Sequence, residues 1–334
     1  MLRPVSLAFA AFALGPLASP VLPQVAIPVG PSADMLAPAI DRDGQIIAFG
    51  AAVNPDGSLQ TVPDLWIWSS ANHAARRLTN YGSTGGSSAV TSFVLSADGS
   101  QVAYVASASG GQVGEIHVID AASGSDRLVA SDKQGCIQPL VVCPACFFPC
   151  VHDPHFTADG RVLYATSHSQ PFYVAGTDGT VTRLPVYSGY LASGPRRVIS
   201  DNGLLVFISS APSGPTFAAS PENVYLINLD GSTLRNLTQF SNVNVYVQDA
   251  VIGANGGMIA FTSNGGSPDA SAPLRIFDIK ADGTGLRQLT SGLDDATNPS
   301  LSADGSLLAF VQSGQIKVLR AGGGGPASNL TSFR

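Results

Sequence analysis

The residues best equipped for chemistry fall between positions 136 and 155, where Cys136, Cys143, Cys146 and Cys150 run directly into His152, Asp153 and His155. Two imidazoles flanking a carboxylate can act as a general base or as metal ligands. Four clustered cysteines in an exported chain read first as two disulfides that brace an irregular loop, with all three pairings open. Cys143-x-x-Cys146 also has metal-ligand spacing, and Cys150, His152 or His155 would complete a tetrahedron. No second Cys-x-x-Cys reinforces that reading. A redox pair is the third alternative; against it, thioredoxin-like chemistry places the motif at a helix start in an α/β fold, a setting this chain does not offer. The Gly-x-Ser-x-Gly elbow of serine hydrolases occurs nowhere in the chain.

What positions these groups is a repeat. Residues 298–319 read as a short extended run from Pro299 to Ser302, a hairpin turn at Asp304-Gly305, an apolar strand from Leu307 to Val311 and an alternating strand from Ile316 to Leu319, with Asn329-Leu330-Thr331 closing the unit. Asp-Gly supplies the positive φ angles that tight hairpins require, and apolar/polar alternation marks a strand with one wet face. The same hairpin recurs at Asp43-Gly44, Asp98-Gly99, Asp159-Gly160, Asn202-Gly203 and Asn255-Gly256. Each is followed by an apolar strand, a third strand, and then Leu-Thr or an equivalent, as at Leu78-Thr79, Leu237-Thr238 and Leu289-Thr290. Fixed-order recurrence at intervals of about 40 to 60 residues is what stacked four-stranded units produce, because none can bury both faces alone. The expected fold is all-β: a six-bladed β-propeller of four-stranded antiparallel blades, at about 37–80, 89–131, 151–186, 196–239, 248–291 and 296–334, in a single domain over residues 27–334.

Aligning the repeats puts one residue of each just ahead of its inner strand, at the mouth of the central channel: Ala37, Ser92, Asp153, Arg196, Asp249 and Asn298. Polar groups converging at a channel mouth make a ligand site. The alternative is that they satisfy strand ends and one another through water. Long links between second and third strands, from Ala51 to Pro63, Ser209 to Glu222 and Ser263 to Pro273, leave on the same side and mark it as the binding face; the competing reading is neutral insertion.

At these residues the chain resembles the TolB-like propeller family, whose repeat runs roughly Pro-x-x-Ser-x-Asp-Gly, an apolar strand, a strand ending near Asp-x-x-Gly, then Leu-Thr. The resemblance covers nearly all of residues 35–334. It implies the fold and a binding role, though propellers of this repeat type also serve as accessory domains of peptidases and as lyases. The N-terminal α/β domain that TolB carries is not expected between the leader and the first repeat. A propeller-type polysaccharide lyase would draw ligands from several blades, where this chain offers His152 and His155 from one.

Only 12% of the 334 residues are charged, while 36 glycines and 23 prolines punctuate the apolar runs, which suits an all-β chain with many turns. The formal net charge of -6, with no basic run longer than Arg76-Arg77 or Arg196-Arg197, excludes a general nucleic-acid surface. Residues 1–26, one arginine followed by an apolar stretch from Val5 to Leu14 and then small residues and prolines, read as a secretory signal peptide. That apolar run is shorter than the ~20 residues needed to cross a bilayer, so a periplasmic or secreted protein is expected, with no membrane span after leader removal. The expected function is that of a monomeric binding module, without cofactor or metal, that holds an envelope or extracellular protein or glycan through Asp153, Arg196, Asp249, Asn298, His152 and His155. The alternative is an extracellular polysaccharide lyase or hydrolase working through His152, Asp153 and His155.

Overall fold

The computed structural model describes residues 38–329 except 57, 83–87, 109–112, 132–150, 167–171, 193–195, 211, 213–219, 266, 268, 270–271 and 323–327. Cys136, Cys143, Cys146 and Cys150, and with them the disulfide, metal and redox readings of that loop, lie outside these residues, as do Ala37 and the leader. Among the described residues no helix is long and apolar enough to cross a membrane.

Six antiparallel sheets account for the described strands, and within every sheet each strand pairs with its neighbour in sequence. The chain divides into two compact units. The first, residues 1–135 with 142–149, contains one sheet of Ala39–Ile40, Ile46–Val53, Leu59–Ser69 and Ala74–Arg77, and a second of Ala89–Leu95, Gln101–Ala108, Val113–Asp120 and Asp126–Ser131. The second unit, residues 136–141 with 150–334, contains four. These are Val151–Phe156, Val162–Thr166, Phe172–Ala175 and Val181–Arg183; then Leu204–Ser209, Asn223–Asn228 and Arg235–Asn236; then Val247–Ile252, Met258–Ser263, Arg275–Lys280 and Arg287–Gln288; and last Ala296–Leu301, Leu307–Gln312, Gln315–Arg320 and Ser328–Asn329.

Two expectations need correction. Four strands per sheet fails in the fourth sheet, which has three among the described residues. Its inner segment makes two isolated bridges, Tyr190 to Ile208 and Ile199 to Leu205, and between them Arg197 is used elsewhere: its carbonyl accepts the Ile252 N–H of the next sheet at 2.9 Å, and its guanidinium reaches Asp201 at 2.9 Å. The stretch from Ala51 to Pro63 is not a long loop either. Ile46–Val53 and Leu59–Ser69 continue as a hairpin with Val53 opposite Leu59, and Pro63 is accommodated near a register shift between Ala51 and Val53, where a missing N–H costs the ladder least.

The recurring dipeptides turn out to be structural. Gly44, Gly99, Gly160, Gly203, Gly256 and Gly305 have φ between 70° and 81°, and the Asp or Asn before each does not share the positive φ. At the last hairpin that residue holds the turn: Asp304 Oδ1 accepts the Ser302 hydroxyl at 2.6 Å and the Ser306 N–H at 3.0 Å, contacts that depress its carboxyl to about 2; at the first, Asp41 does this instead of Asp43. Leu-Thr lies just past the outer strands Ala74–Arg77, Arg235–Asn236 and Arg287–Gln288. Leu78, Leu237 and Leu289 donate their N–H to the carbonyls of Leu65, Val224 and Ile276, while the hydroxyls of Thr79, Thr238 and Thr290 accept from the N–H groups of the same three residues at 2.9, 3.1 and 2.9 Å. The hydroxyl thus replaces a ladder partner where the outer strand ends.

In the second unit the core is built from apolar second and third strands. Phe207 stacks on Tyr225 at 5.6 Å and Phe261 on Phe277 at 5.3 Å, cross-strand pairs in both cases. Phe207 and Phe261 are fully buried, and each such side chain contributes roughly 2 to 3 kcal/mol. Neighbouring hairpins are tied by backbone bonds, Asp201 N–H to Ala254 O at 2.8 Å and Asn255 N–H to Ala303 O at 3.2 Å. At this contact a Cβ on Gly256 would stand 2.6 Å from Asn202 Oδ1. Gly256→Ala is therefore expected to cost the about 1 to 2 kcal/mol of left-handed strain and to turn the Asn202 amide off its hydrogen bond with Ser200, read as a lower urea midpoint. Gly203→Ala, at φ +81° with nothing within 4 Å of the added carbon, should lose only the strain component.

Candidate functional site

Within the second unit the up-and-down strand order sends the second-to-third links and the links onward to the next sheet out at one end. The inner strands are irregular near that end, with register shifts between Val247 and Asp249, between Thr297 and Ser300, and at Asp153 where Leu163 and Ala165 lose step. A bulge re-aims the side chain beside it. Asp153 and Asn298 adopt φ of 48° and 59°, values that Asp and Asn tolerate better than most side chains.

Arg196 draws two of the sequence-predicted residues together. Its Nη1 is paired with Asp249 Oδ1, and its Nη2 donates to Asn298 Oδ1 at 2.6 Å. Asp249 is only 5% exposed, and its second oxygen, Oδ2, is buried with no hydrogen-bond partner among the described residues. Burial pushes the Asp249 carboxyl up, with the Arg196 guanidinium opposing. A carboxylate half-satisfied in this way is a costly arrangement.

Three residues beside this pair were not singled out by the sequence. Glu222 Oε2 accepts the Val247 N–H at 2.8 Å, and the Tyr190 hydroxyl donates to the Val247 carbonyl at 2.6 Å. Burial raises the Tyr190 phenol, and the Glu222 carboxylate, the Tyr246 hydroxyl and Asp249 raise it further. Tyr246 is affected in the same sense, first by burial and then by Glu222 and Asp249. The cluster therefore contains Tyr190, Arg196, Glu222, Tyr246, Asp249 and Asn298. Glu222 did stand at the end of a link read as part of the binding face. The tyrosines gave no signal, because each sits in an irregular connection where no repeat position can be aligned.

The other predicted residues are arranged differently. His152 Nδ1 lies 2.9 Å from Asp153 Oδ2, and both side chains are partly exposed. His155 is buried at 5% exposure, its Nε2 has no partner, and burial lowers its pKa to about 4 against the opposing pull of Asp153. The structure thus makes one pair of His152 and Asp153 and sets His155 in the interior. Among the described residues no three His, Cys, Asp or Glu side chains gather where they could hold a metal ion.

No family model matches the chain, and no curated protein matches it. Solved structures do. An oligogalacturonate lyase in complex with manganese superposes with a TM-score of 0.57 at 16% identity, over 84% of this chain and 73% of the lyase. TolB from Acinetobacter baumannii superposes with 0.51 at 16% identity, over 84% of this chain and 62% of that one, so the chain spans less than two thirds of TolB. A prolyl endopeptidase superposes with 0.59 at 15% identity, over 90% of this chain and 44% of the peptidase. Likeness at this identity carries the architecture and nothing further. With its repeated antiparallel sheets, Asp-Gly hairpins and Leu-Thr closures, the chain has a TolB-like propeller fold.

Proposed function

We propose that this chain is an exported binding module, a six-bladed propeller with one sheet per blade, that takes a protein or glycan ligand at the cluster around Arg196, Asp249 and Asn298. The observation that supports this reading most is Asp249: a buried carboxylate whose Oδ2 has no donor, beside an arginine already committed to its other oxygen and to Asn298. A ligand that changes the charge or hydrogen bonding around that carboxylate recovers part of its desolvation cost. Tyr190 and Tyr246 offer partly exposed aromatic faces next to it, a combination suited to recognition. The leader-like composition of residues 1–26 supports export.

Among the described residues this chain's donors do not assemble a site for a metal such as the manganese of the structurally similar lyase. His152 is committed to Asp153, His155 lies buried, and no third donor joins them among the described residues. The polysaccharide-cleaving alternative has no such support from geometry.

Screening the purified protein against a glycan array and a peptide library tests the proposal. Asp249→Asn is expected to weaken whichever ligand is found by about tenfold or more, the range of a lost charge-assisted contact, and Arg196→Met should do the same. Unchanged affinity in both variants would remove this site from consideration.

A further inference from the structure

Resting on that binding reading, we infer that the ligand is a polypeptide segment presenting a basic side chain, seated between Tyr190 and Tyr246 against Glu222. The charge balance at the site favours a cation. Among the described residues Arg196 is the one guanidinium ion-paired at this cluster, and it directs two of its five N–H donors to Asp249 and Asn298. The Glu222 carboxylate accepts from the Val247 N–H and acts on the nearby Tyr190 phenol, and no cationic side chain pairs with it among the described residues. The arginine is ion-paired with Asp249 alone, which leaves the Glu222 charge unpaired, and Asp249 Oδ2 has no donor among the described residues.

Aromatic rings sharpen the selection. Tyr190 and Tyr246 are 36% and 48% exposed, and both phenols feel Glu222 and Asp249. A cation beside tyrosine faces and a carboxylate gains from the ring quadrupole and from charge pairing together. An anionic ligand would meet Glu222 unscreened.

The surroundings favour protein over sugar. The link from Gln239 to Tyr246 exposes Val243, and the link from the fifth to the sixth sheet displays Leu293 at 92% exposure. Leu293 is not on a slack loop: Arg275 Nη1 donates to the Asp294 carbonyl at 3.0 Å and Nη2 to the Gly292 carbonyl, Leu274 N–H binds Asp295 Oδ1 at 2.8 Å, and Ser313 binds Asp294 Oδ2 at 2.6 Å. A leucine held out on a pinned loop is an anchor for an apolar partner surface at little entropic cost. The two links are joined along the edge of the fifth sheet, where Ser263 donates to the Tyr246 carbonyl at 2.8 Å and is the cross-strand partner of Arg275. Next to Tyr246 a cleft of about 290 Å³ is lined by Gln239, Ser241, Asn242 and Phe240 among others, amides and hydroxyls suited to a main chain.

The test is selection of a phage-displayed random dodecapeptide library on the intact protein, followed by titration of synthetic copies of the selected peptides. Lysine or arginine next to an aliphatic residue should be enriched. Acetylating that lysine, or replacing that arginine by citrulline, should weaken binding tenfold or more, and so should Glu222→Gln. Leu293→Ser and Tyr246→Ser, both at exposed positions that leave the fold intact, should each weaken it several-fold. Selected peptides without basic enrichment, or affinities indifferent to acetylation and to Glu222→Gln, overturn the inference. If chitosan oligomers bind in a Glu222-dependent way while no peptide does, the polypeptide assignment falls and the binding reading stands; if neither class binds, both fall.

Discussion

Arg287→Ala is expected to lower the unfolding free energy by about 3 kcal/mol, the typical cost of stranding a buried charge. Asp278 is fully buried, and Arg287 meets it with two parallel bonds, Nε to Oδ1 at 3.0 Å and Nη2 to Oδ2 at 2.6 Å. Gly322 N–H adds a third at 2.8 Å from the neighbouring sheet. The two partners are unequal. Arg287 keeps 39% of its side chain exposed and can be rehydrated if the aspartate is removed, so Asp278→Ala should cost less than Arg287→Ala. Asp278 has no such recourse. Adding Asp278→Asn to the Arg287→Ala protein removes the stranded charge while keeping an acceptor for Gly322, and should restore part of the loss. Urea unfolding at pH 7 measures all four proteins, and further loss in the double variant would show that the arginine does not act by neutralising a buried carboxylate.

His155 sets a second large effect, on acid stability. Its folded pKa, about 4, lies below the ordinary 6.5 because the ring is fully buried. Between those values the unfolded chain binds a proton that the folded chain does not, so stability falls as pH is lowered from about 6.5 toward 4, by roughly 3 kcal/mol in all. His117 works in the opposite direction. Asp126, at 3.2 Å, and Glu115, at 3.5 Å, raise it despite burial, so its contribution is complete below 6.5 and is lost as pH rises through its folded value. Carboxylates held low by hydrogen bonds, such as Asp304 at about 2, lose their contribution only below about 4. The window between 6.5 and 4 is therefore that of His155, with Asp249, whose carboxyl burial pushes up, opposing it toward the acid end. His155→Leu, which removes a buried ring whose Nε2 has no partner among the described residues, should flatten the urea midpoint across pH 6.5 to 4. An unaltered slope would mean that the imidazole is hydrated in the folded protein.

The repeat was legible because its constraints are local. A hairpin that needs one left-handed residue selects glycine at Gly44, Gly99, Gly160, Gly203, Gly256 and Gly305 whatever surrounds it, and a short outer strand that needs a hydroxyl to finish its ladder selects threonine at Thr79, Thr238 and Thr290. Those requirements act over a few residues, so they recur visibly. Alignment on the glycines also carried Arg196, Asp249 and Asn298 to equivalent positions, and the structure joins them across 102 residues of chain.

What the alignment could not supply is the direction in which each side chain points. His155 lies two residues from Asp153, yet strand geometry buries it, while the bulge at Asp153 turns that carboxylate to His152 instead. Tyr190, Glu222 and Tyr246 reach the site from connections of differing length, and their meeting depends on how neighbouring sheets pack. Sequence alone determined the repeat, its period and its turns, because these answer to backbone chemistry within one sheet. Tertiary structure alone decided which carboxylate was left without a donor and which histidine was left without water, because desolvation is a property of everything packed around a group and not of its place in the chain.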